Sequence, residues 1–194
     1  MANRRAETSR ETRSILLSAA SELFAERGFQ QTTFVDLADR SGISRGSITW
    51  HFGNKDGLLL AVVEEETESL IKLCEQFATM KPSEIQDYLR SEDTSGGALR
   101  SSQLILALYN EALKPDSSIH EAFVDLHRRA RSTIEQWAEQ HLALPEGTSS
   151  ADAAAALFGA GIGILIQWMI APDLVTTEAG YRAMRTILEP MLKD

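Results

Sequence analysis

The chain has 194 residues, of which 43 % are hydrophobic. That is enough for a sizeable core, which excludes a globally disordered chain. The formal net charge of −9 argues against a nucleic-acid partner at first sight. The charge is uneven, however, because residues 1–57 carry eight Lys or Arg and seven Asp or Glu, and the acidic excess lies in the remainder. The single cysteine excludes an intrachain disulfide and fits a reducing cytoplasm.

The start of the chain is basic, with four arginines that can meet phosphate groups. They are Arg4, Arg5, Arg10 and Arg13. No apolar core follows them, so we expect no secretory signal and a cytoplasmic location. Residues 153–170 are apolar except for Gln167. The length of this run is at the lower limit for a membrane span. Because no Lys or Arg lies close to this run, a buried interface helix is the better interpretation, and we expect no membrane partner.

Apolar periodicity and capping residues predict three helices in the first third of the chain. Residues 9–27 place their apolar side chains on one stripe. Thr33, with Asp36 three residues later, predicts the start of a second helix, and Ser44 caps a third after a turn at Gly42. The predicted small core consists of Leu16, Ala20, Leu23, Leu37, Ala38, Ile43 and Ile48.

The remainder of the chain is also predicted to be helical. Asn54 caps a long helix that continues to about Met80. A short helix is predicted over residues 83–90 and a loop over 92–97. Further helices are predicted over residues 99–113 and 118–142, from 151 onwards, and over 177–192. Because no segment alternates like a strand, the predicted fold class is all-α with about nine helices.

Two short helices joined by a tight glycine-containing turn form a helix-turn-helix, whose second helix can enter the major groove of DNA. Residues 33–55 fit this description. We therefore predict a three-helix DNA-binding domain over residues 1–57, with double-stranded DNA as a partner. Residues 58–194 are predicted to form a second, larger helical domain.

The motif resembles the DNA-binding domain of tetracycline-repressor (TetR) family transcriptional regulators over about residues 9–60. The residues that carry the resemblance are Ala19, Leu23, Phe24, Gly28, Phe29, Thr32, Thr33, Asp36, Leu37, Ala38, Gly42 to Ile48, His51, Phe52 and Lys55 to Leu59. The resemblance implies that the second domain binds a small ligand and dimerises. The family often has Tyr where this chain has Thr49, and here the neighbouring Trp50 is aromatic instead, so that tyrosine's phosphate contact is not carried over.

Nine residues of the motif are candidate DNA contacts. Arg45 begins the second helix, where side chains reach base edges or phosphates, and its alternative is a solvated surface charge. The Ser and Thr hydroxyls either contact DNA or, at a helix start, only cap the helix. The candidates are Thr33, Ser44, Arg45, Gly46, Ser47, Thr49, Trp50, His51 and Lys55.

Four of these candidates have a definite structural alternative. Gly46 costs helix propensity, which either a close approach to DNA or a tight helix–helix contact would explain. Trp50 either packs on a sugar-phosphate strand or covers the domain core. His51 either bonds a phosphate or locks its helix to neighbouring elements. Lys55 lies in the first turn of its helix, where the dipole disfavours a cation, so it either meets a phosphate or is an ordinary exposed lysine.

The second domain has candidates for an effector site, each with core packing as the alternative. Ligand cavities are common between the helices of a bundle, and the apolar side chains predict a small, largely apolar effector. The candidates are Leu104, Leu108, Tyr109, Phe123, His127, Trp137, Gln167 and Trp168.

Small residues spaced by four in the apolar run allow two helices to approach closely. Together with the last helix they predict a homodimer interface built as a four-helix bundle. The predicted interface residues are Ala155, Gly159, Gly163, Tyr181, Met184, Ile187, Leu188 and Met191.

The sequence thus predicts a ligand-responsive, homodimeric transcriptional regulator that acts as a repressor on a palindromic operator. A helical protein-interaction adaptor with incidental DNA binding is the alternative. No nucleophile–base signature is present, His120 and His127 lack standard metal-ligand spacing, and Glu75 would raise the pKa of Cys74. We therefore expect no enzyme, no metal site and no cofactor.

Overall fold

The computed structural model describes residues 2–81, 84 and 97–193, with the backbone only for residues 2–6 and 97–99. These residues form nine α-helices, a short 3-10 turn (Glu189–Met191) and an isolated β-bridge between Leu142 and Leu192. The predicted all-α class is confirmed. The helices are α1 (Ala2–Arg27), α2 (Phe34–Ser41), α3 (Arg45–Phe52), α4 (Lys55–Ala78), α5 (Gly97–Ala107), α6 (Tyr109–Ala112), α7 (His120–His141), α8 (Ser150–Ile170) and α9 (Thr177–Leu188).

Several helix ends differ from the prediction. α1 begins at Ala2 rather than at residue 9. The prediction missed its first turns because they carry no apolar period that would mark them as helical. The predicted helix over residues 99–113 is divided at Leu108, where φ of −92° and ψ of −2° depart from the regular α-helical values. The predicted helix over 83–90 lies outside the described residues except for residue 84. The predicted loop over 92–97 also lies outside them, apart from Gly97, which begins α5.

The first of two compact units comprises Met1–Glu66 and Ala107–Phe123. Its core consists of apolar side chains with at most 3 % of their surface exposed, among them Leu16, Leu17, Leu23, Phe24, Leu37, Ile48, Leu58, Leu59, Val62, Val63 and Ile119. Of the predicted core residues, Ala38 and Ile43 are only half-buried, because they flank the exposed turn between α2 and α3. The predicted domain boundary between residues 57 and 58 falls inside α4 and stays a prediction.

The second compact unit comprises Thr67–Leu106 and Val124–Asp194. Arg129 of α7 donates to Glu68 of α4 at 2.7 Å, and this hydrogen bond lowers the pKa of Glu68. The last residues return to the end of α7, where the Lys193 N–H donates to the His141 carbonyl at 2.8 Å. The buried apolar residues of this unit are Ile71, Leu104, Ile105, Leu126, Ala130, Ala138, Leu142 and Ala154.

α8 is unusual because it is apolar and yet mostly uncovered. Ser149 and Asp152 form a capping box at its start, one residue earlier than predicted, and Ala154 is its only buried residue. Among the described residues it is the one helix long and apolar enough to cross a membrane by length and composition. The glycines at its centre face open space, since Cβ atoms added at Gly159 and Gly163 would meet nothing within 4 Å.

Candidate nucleic-acid interface

The predicted helix-turn-helix is present, and local hydrogen bonds define its ends. The Thr33 hydroxyl accepts the Asp36 N–H at 3.2 Å while the Asp36 carboxylate accepts the Thr33 N–H at 2.8 Å, which completes the predicted capping box. Gly42 ends α2 in the left-handed region with a φ of 71°. The Ser44 hydroxyl then accepts the Ser47 N–H at 3.3 Å and starts α3.

Surface ion pairs connect α2 to α1. The Arg40 guanidinium lies 2.7 Å from a carboxylate oxygen of Glu26 and 3.1 Å from one of Glu22, and Arg27 pairs with Asp36 at 2.9 Å. The hydrogen bond from Arg40 holds the pKa of Glu26 below its usual range. Exposed pairs contribute little stability individually, so their main effect is to fix the orientation of α2 on α1.

α3 has one buried side and one open side. Ile48 is fully buried, whereas Arg45 and Thr49 are exposed and Trp50 has 75 % of its surface exposed. The Thr49 hydroxyl donates to the Arg45 carbonyl one turn earlier at 3.1 Å, so its proton is already in use. Trp50 does not cover the core, which removes that alternative and leaves a large aromatic surface beside the outer side of the helix.

Gly46 lies on the open side of α3. A Cβ added there would meet only the Ser44 hydroxyl oxygen, at 3.9 Å, and no atom of another helix. The tight helix–helix contact considered from the sequence is therefore absent within the chain. The glycine instead leaves the backbone of the first turn of α3 uncovered.

The end of α3 carries a row of aromatic rings. The centroids of Trp50 and His51 are 4.7 Å apart, and those of His51 and Phe52 are 5.9 Å apart. The Arg13 guanidinium carbon of α1 lies 5.6 Å from the centroid of Phe52. His51 is half-buried between the two neighbouring rings, an arrangement that stiffens the end of the helix.

Lys55 has a structural explanation that the sequence did not supply. Its ammonium donates to the Gln30 carbonyl at 3.0 Å and lies 4.5 Å from the centroid of the Phe29 ring. It is therefore not the ordinary exposed lysine of the sequence-based alternative, because it links the start of α4 to the α1–α2 loop. Its charge has no anionic partner among the described residues.

The eight predicted effector residues are distributed over both compact units. Leu108, Tyr109 and Phe123 lie in the first, where the Tyr109 and Phe123 rings meet edge to face with centroids 5.1 Å apart. Burial raises the pKa of Tyr109. The other five residues lie in the second unit: Leu104, His127, Trp137, Gln167 and Trp168.

Three of these five have local contacts that differ in kind. His127 meets the Phe158 ring with centroids 5.1 Å apart, and its pKa is lowered by burial and by the Arg131 charge. The indole nitrogen of Trp137 is buried without a hydrogen-bond partner among the described residues. Gln167 is exposed and donates to the Gly163 carbonyl at 3.1 Å. Their assignment to an effector site stays a prediction.

The predicted interface residues of α8 and α9 line a largely uncovered surface. Ala155 and Gly159 are exposed, Ile187 has 71 % of its surface exposed, and Gly163, Met184, Leu188 and Met191 are partly covered. Tyr181 is also partly covered, and burial together with the nearby Cys74 raises its pKa to about 12.

Further exposed apolar residues, which the sequence did not reveal, lie at the end of α8 and in the turn after it. Ile166, Ile170 and Leu174 have 41 %, 78 % and 80 % of their surface exposed. The spacing of four between Ile166 and Ile170 was the signal that could have identified these two, because it places them on one face of the helix. They enlarge the uncovered apolar surface well beyond the small residues at its centre.

The cysteine and the histidines are accounted for by local contacts. Burial raises the pKa of the Cys74 thiol and the Glu75 charge adds to this, as the sequence predicted. The Nδ1 atom of His120 lies 2.9 Å from the Ala112 carbonyl. Among residues 2–81, 84 and 97–193 there is no group of three His, Cys, Asp or Glu that could hold a metal ion.

Residues 16–62 match the family described as bacterial regulatory proteins, tetR family. Over 198 residues the chain is 27 % identical to the HTH-type transcriptional regulator TtgR of Pseudomonas putida, covering 90 % of this chain and 88 % of that protein.

Solved structures have the same fold. A transcriptional regulator from Saccharomonospora viridis in complex with choline superposes with a TM-score of 0.76 at 19 % identity, covering 95 % of this chain and 100 % of that one. NalD, the secondary repressor of the MexAB-OprM efflux pump in Pseudomonas aeruginosa, gives a TM-score of 0.61 at 23 % identity, covering 96 % and 98 %.

The capped helix-turn-helix and the helical remainder define a DNA-binding transcriptional regulator rather than an enzyme. The matches to family, relatives and fold agree with the residues that carried the resemblance. Residues 16–62 carry the DNA-binding domain of the TetR family of bacterial transcriptional regulators.

Proposed function

We propose that the protein is a cytoplasmic homodimeric repressor that binds a palindromic operator and is released by a small, largely apolar effector. We assign DNA binding to residues 1–57, and effector binding and dimerisation to residues 58–194. The observation that carries the proposal is the open side of α3. There an exposed arginine, an uncovered glycine backbone and an exposed tryptophan share a helix that is fixed at both ends.

The proposed DNA contacts have different roles. Arg45 has no carboxylate partner among the described residues and is placed to reach a base edge or a phosphate. Trp50 packs on the sugar-phosphate strand. The hydroxyls of Thr33 and Ser44 already serve as caps, so the backbone N–H groups at the starts of α2 and α3 are the donors offered to phosphate. The remaining contacts are assigned to Gly46, Ser47, Thr49, His51 and Lys55.

The uncovered side of α8 and α9 supports the dimer. A single chain that exposes Ile170, Leu174 and Ile187 to water has a large apolar surface, and a second copy is the partner that a palindromic operator requires. In a two-fold arrangement the same surface covers itself. We assign this interface to the small residues of α8 together with the apolar residues of α9.

The effector acts through linkage. If it binds a state of the dimer that fits the operator poorly, then effector and DNA weaken each other by the same factor. The buried, unpaired indole N–H of Trp137 supports an effector that is largely apolar but carries one hydrogen-bond acceptor. We assign His127, which lies in the same compact unit as Trp137, as a further polar partner of the effector.

The test is selection of bound sequences from a random duplex pool by the purified protein at a fixed salt concentration. We expect a palindrome whose half-site centres are about one helical turn, 34–36 Å, or a multiple of it apart. The selected duplex then serves as the probe for release by small molecules, with choline, the ligand in the Saccharomonospora viridis structure, in the panel.

Two other outcomes would contradict the proposal in different ways. An enriched sequence without two-fold symmetry would contradict the dimeric arrangement. No enrichment, together with a stable complex with another protein that needs neither DNA nor ligand, would favour the adaptor.

A further inference from the structure

The first turns of α1 form a helix without a core. Among the described side chains of α1, Leu16 is the first that is buried, and none from Glu7 to Ile15 is buried. A helical segment that is polar on all sides gains no stability from packing and is marginal alone in water. We call residues 2–14 the α1 arm. Such a segment is best explained by a partner outside the chain.

The cations of the arm lie on one side of the helix. Arg10 and Arg13 are three residues apart and continue, at spacings of three and four, the stripe of Leu17, Ala20 and Phe24 that is buried further along α1. The two arginines therefore lie on the side of α1 that faces the rest of the first compact unit. Where the core ends, this side is open to solvent.

One contact places this side relative to α3. The Arg13 guanidinium carbon lies 5.6 Å from the ring centroid of Phe52, the last residue of α3. The arm thus leaves the core next to the end of the helix that carries the exposed Trp50. An eight-residue helix is about 12 Å long, so the whole of α3 lies close to the arm's point of departure.

The two arginines of the arm whose side chains are described, Arg10 and Arg13, have no carboxylate partner among the described residues. Within the described part of the chain, Arg27 and Arg40 are paired with carboxylates, whereas neither Arg10 nor Arg13 forms an ion pair. Both guanidinium groups are exposed. In the first compact unit the charges of Arg27 and Arg40 are therefore neutralised by carboxylates. Arg10 and Arg13 are free to meet an external anion.

We propose that Arg10 and Arg13 bind backbone phosphates that flank the groove entered by α3, so that each subunit covers DNA beyond its half-site. The inference rests on the proposed function and adds a second contact surface to it. A guanidinium matches a phosphate in a two-pronged geometry. Arg10 and Arg13 lie in a stretch, Glu7 to Ser14, that has no apolar wedge and no amide side chain, so the contact of these two arginines is to phosphate and independent of base sequence.

The salt dependence of DNA affinity tests this proposal directly. Each phosphate contact contributes about 0.9 to the slope of log affinity against log salt concentration. Arg10→Gln removes one contact from each subunit of a dimer, so we expect the slope to fall by about 1.8 relative to the unaltered protein. Arg10 has no partner within the described chain, so its replacement leaves the thermal unfolding midpoint unchanged.

Arg128→Gln is the matched control. It removes the same charge from an exposed arginine of α7, whose only described partner is Asp125 at 3.3 Å. If the effect of Arg10→Gln were a general loss of positive charge, both variants would change the slope equally. Equal slopes in the two variants, or a wild-type slope in Arg10→Gln, would overturn the proposal.

A second measurement uses the DNA instead of the protein. Trimming the selected duplex to the palindrome itself should weaken binding of the unaltered protein while leaving Arg10→Gln/Arg13→Gln almost unaffected. An equal loss in both proteins would also overturn the proposal. Failure of the proposed function looks different, because the unaltered protein would then show no preference for the selected duplex over a random one.

Discussion

The Cβ that Gly57 lacks would lie 2.2 Å from the carbonyl oxygen of Phe52. The oxygen belongs to the backbone at the end of α3, so it cannot rotate away as a side chain would. The Asn54 side chain accepts the Gly57 N–H at 2.8 Å and holds the first turn of α4 in this position. Gly57 is therefore a point at which the first turn of α4 lies directly against the end of α3.

We expect Gly57→Ala to destabilise the protein. The added methyl group must displace the α3–α4 connection, and overpacking of this kind costs about 1–3 kcal/mol. Urea unfolding measures the loss. A variant as stable as the unaltered protein would show that the connection can open without cost.

Gly46→Ala should change stability in the opposite direction. Its Cβ meets only open space and the Ser44 hydroxyl oxygen, so better helix propensity stabilises α3 by up to about 1 kcal/mol. The same methyl group would separate the backbone of α3 from DNA, so operator affinity should fall. Unfolding and operator binding are measured on the same preparation. An unchanged operator affinity would show that the backbone of α3 does not approach DNA closely at this position.

Arg45→Ala should weaken operator binding without weakening the fold. The side chain is exposed and makes no ion pair in the described chain, so little stability depends on it. If it reads a guanine, the loss of affinity is about 1–3 kcal/mol and the preference at that base relaxes. Competition between the operator and single-base variants measures both effects. Arg128→Ala, on α7, is the control and should bind like the unaltered protein.

The Asp36 carboxylate should make α2 sensitive to acid. Hydrogen bonds from the Thr33 hydroxyl and backbone N–H hold the pKa of Asp36 below its ordinary value of 3.8. A lowered folded-state pKa stabilises the protein above the unfolded value and loses this effect as pH falls through the folded value. The stability difference between the unaltered protein and Asp36→Asn should therefore be full near neutral pH and shrink below 3.8.

Asp39→Asn is the control for this pH dependence, because Asp39 is an exposed carboxylate of α2 outside the capping box. Urea unfolding at several pH values compares the three proteins. A difference between the unaltered protein and Asp36→Asn that stays constant through the acid range would show that the capping bonds do not depend on the charge.

The structure explains which parts of the site were predictable. The helix caps at Thr33, Ser44 and Asn54 were predictable, because each cap depends on residues within three positions along the chain. The contacts of Lys55 with Gln30 and of Arg13 with Phe52 were not predictable. These residues come together only through the packing of α1, α3 and α4.

The helix ends show the same distinction. The first turns of α1 were missed since a helix without a buried side has no apolar period to detect. The position of the turn at Gly42 was predictable because a glycine readily adopts the left-handed conformation that ends α2. The division of the helix at Leu108 was not, because no Gly or Pro marks it.

Gly159 and Gly180 allow dimerisation to be separated from folding. A Cβ at Gly159 would meet nothing within 4 Å in the single chain, whereas one at Gly180 would lie 2.6 Å from the Ile164 Cγ2 atom. The first glycine is open and the second is part of the contact between α8 and α9. Gly159→Leu should therefore preserve the fold, with helix propensity improved by about 1 kcal/mol.

If a second copy packs on α8, the same leucine fills the space that its helix needs, and the dimer should dissociate. Sedimentation equilibrium measures the molar mass, and circular dichroism checks the helix content. Gln140→Leu, at an exposed position of α7, controls for added apolar surface and should leave the mass unchanged. A Gly159→Leu variant that stays dimeric would place the interface elsewhere. Gly180→Ala should instead lower stability, because its methyl group meets Ile164 within the chain.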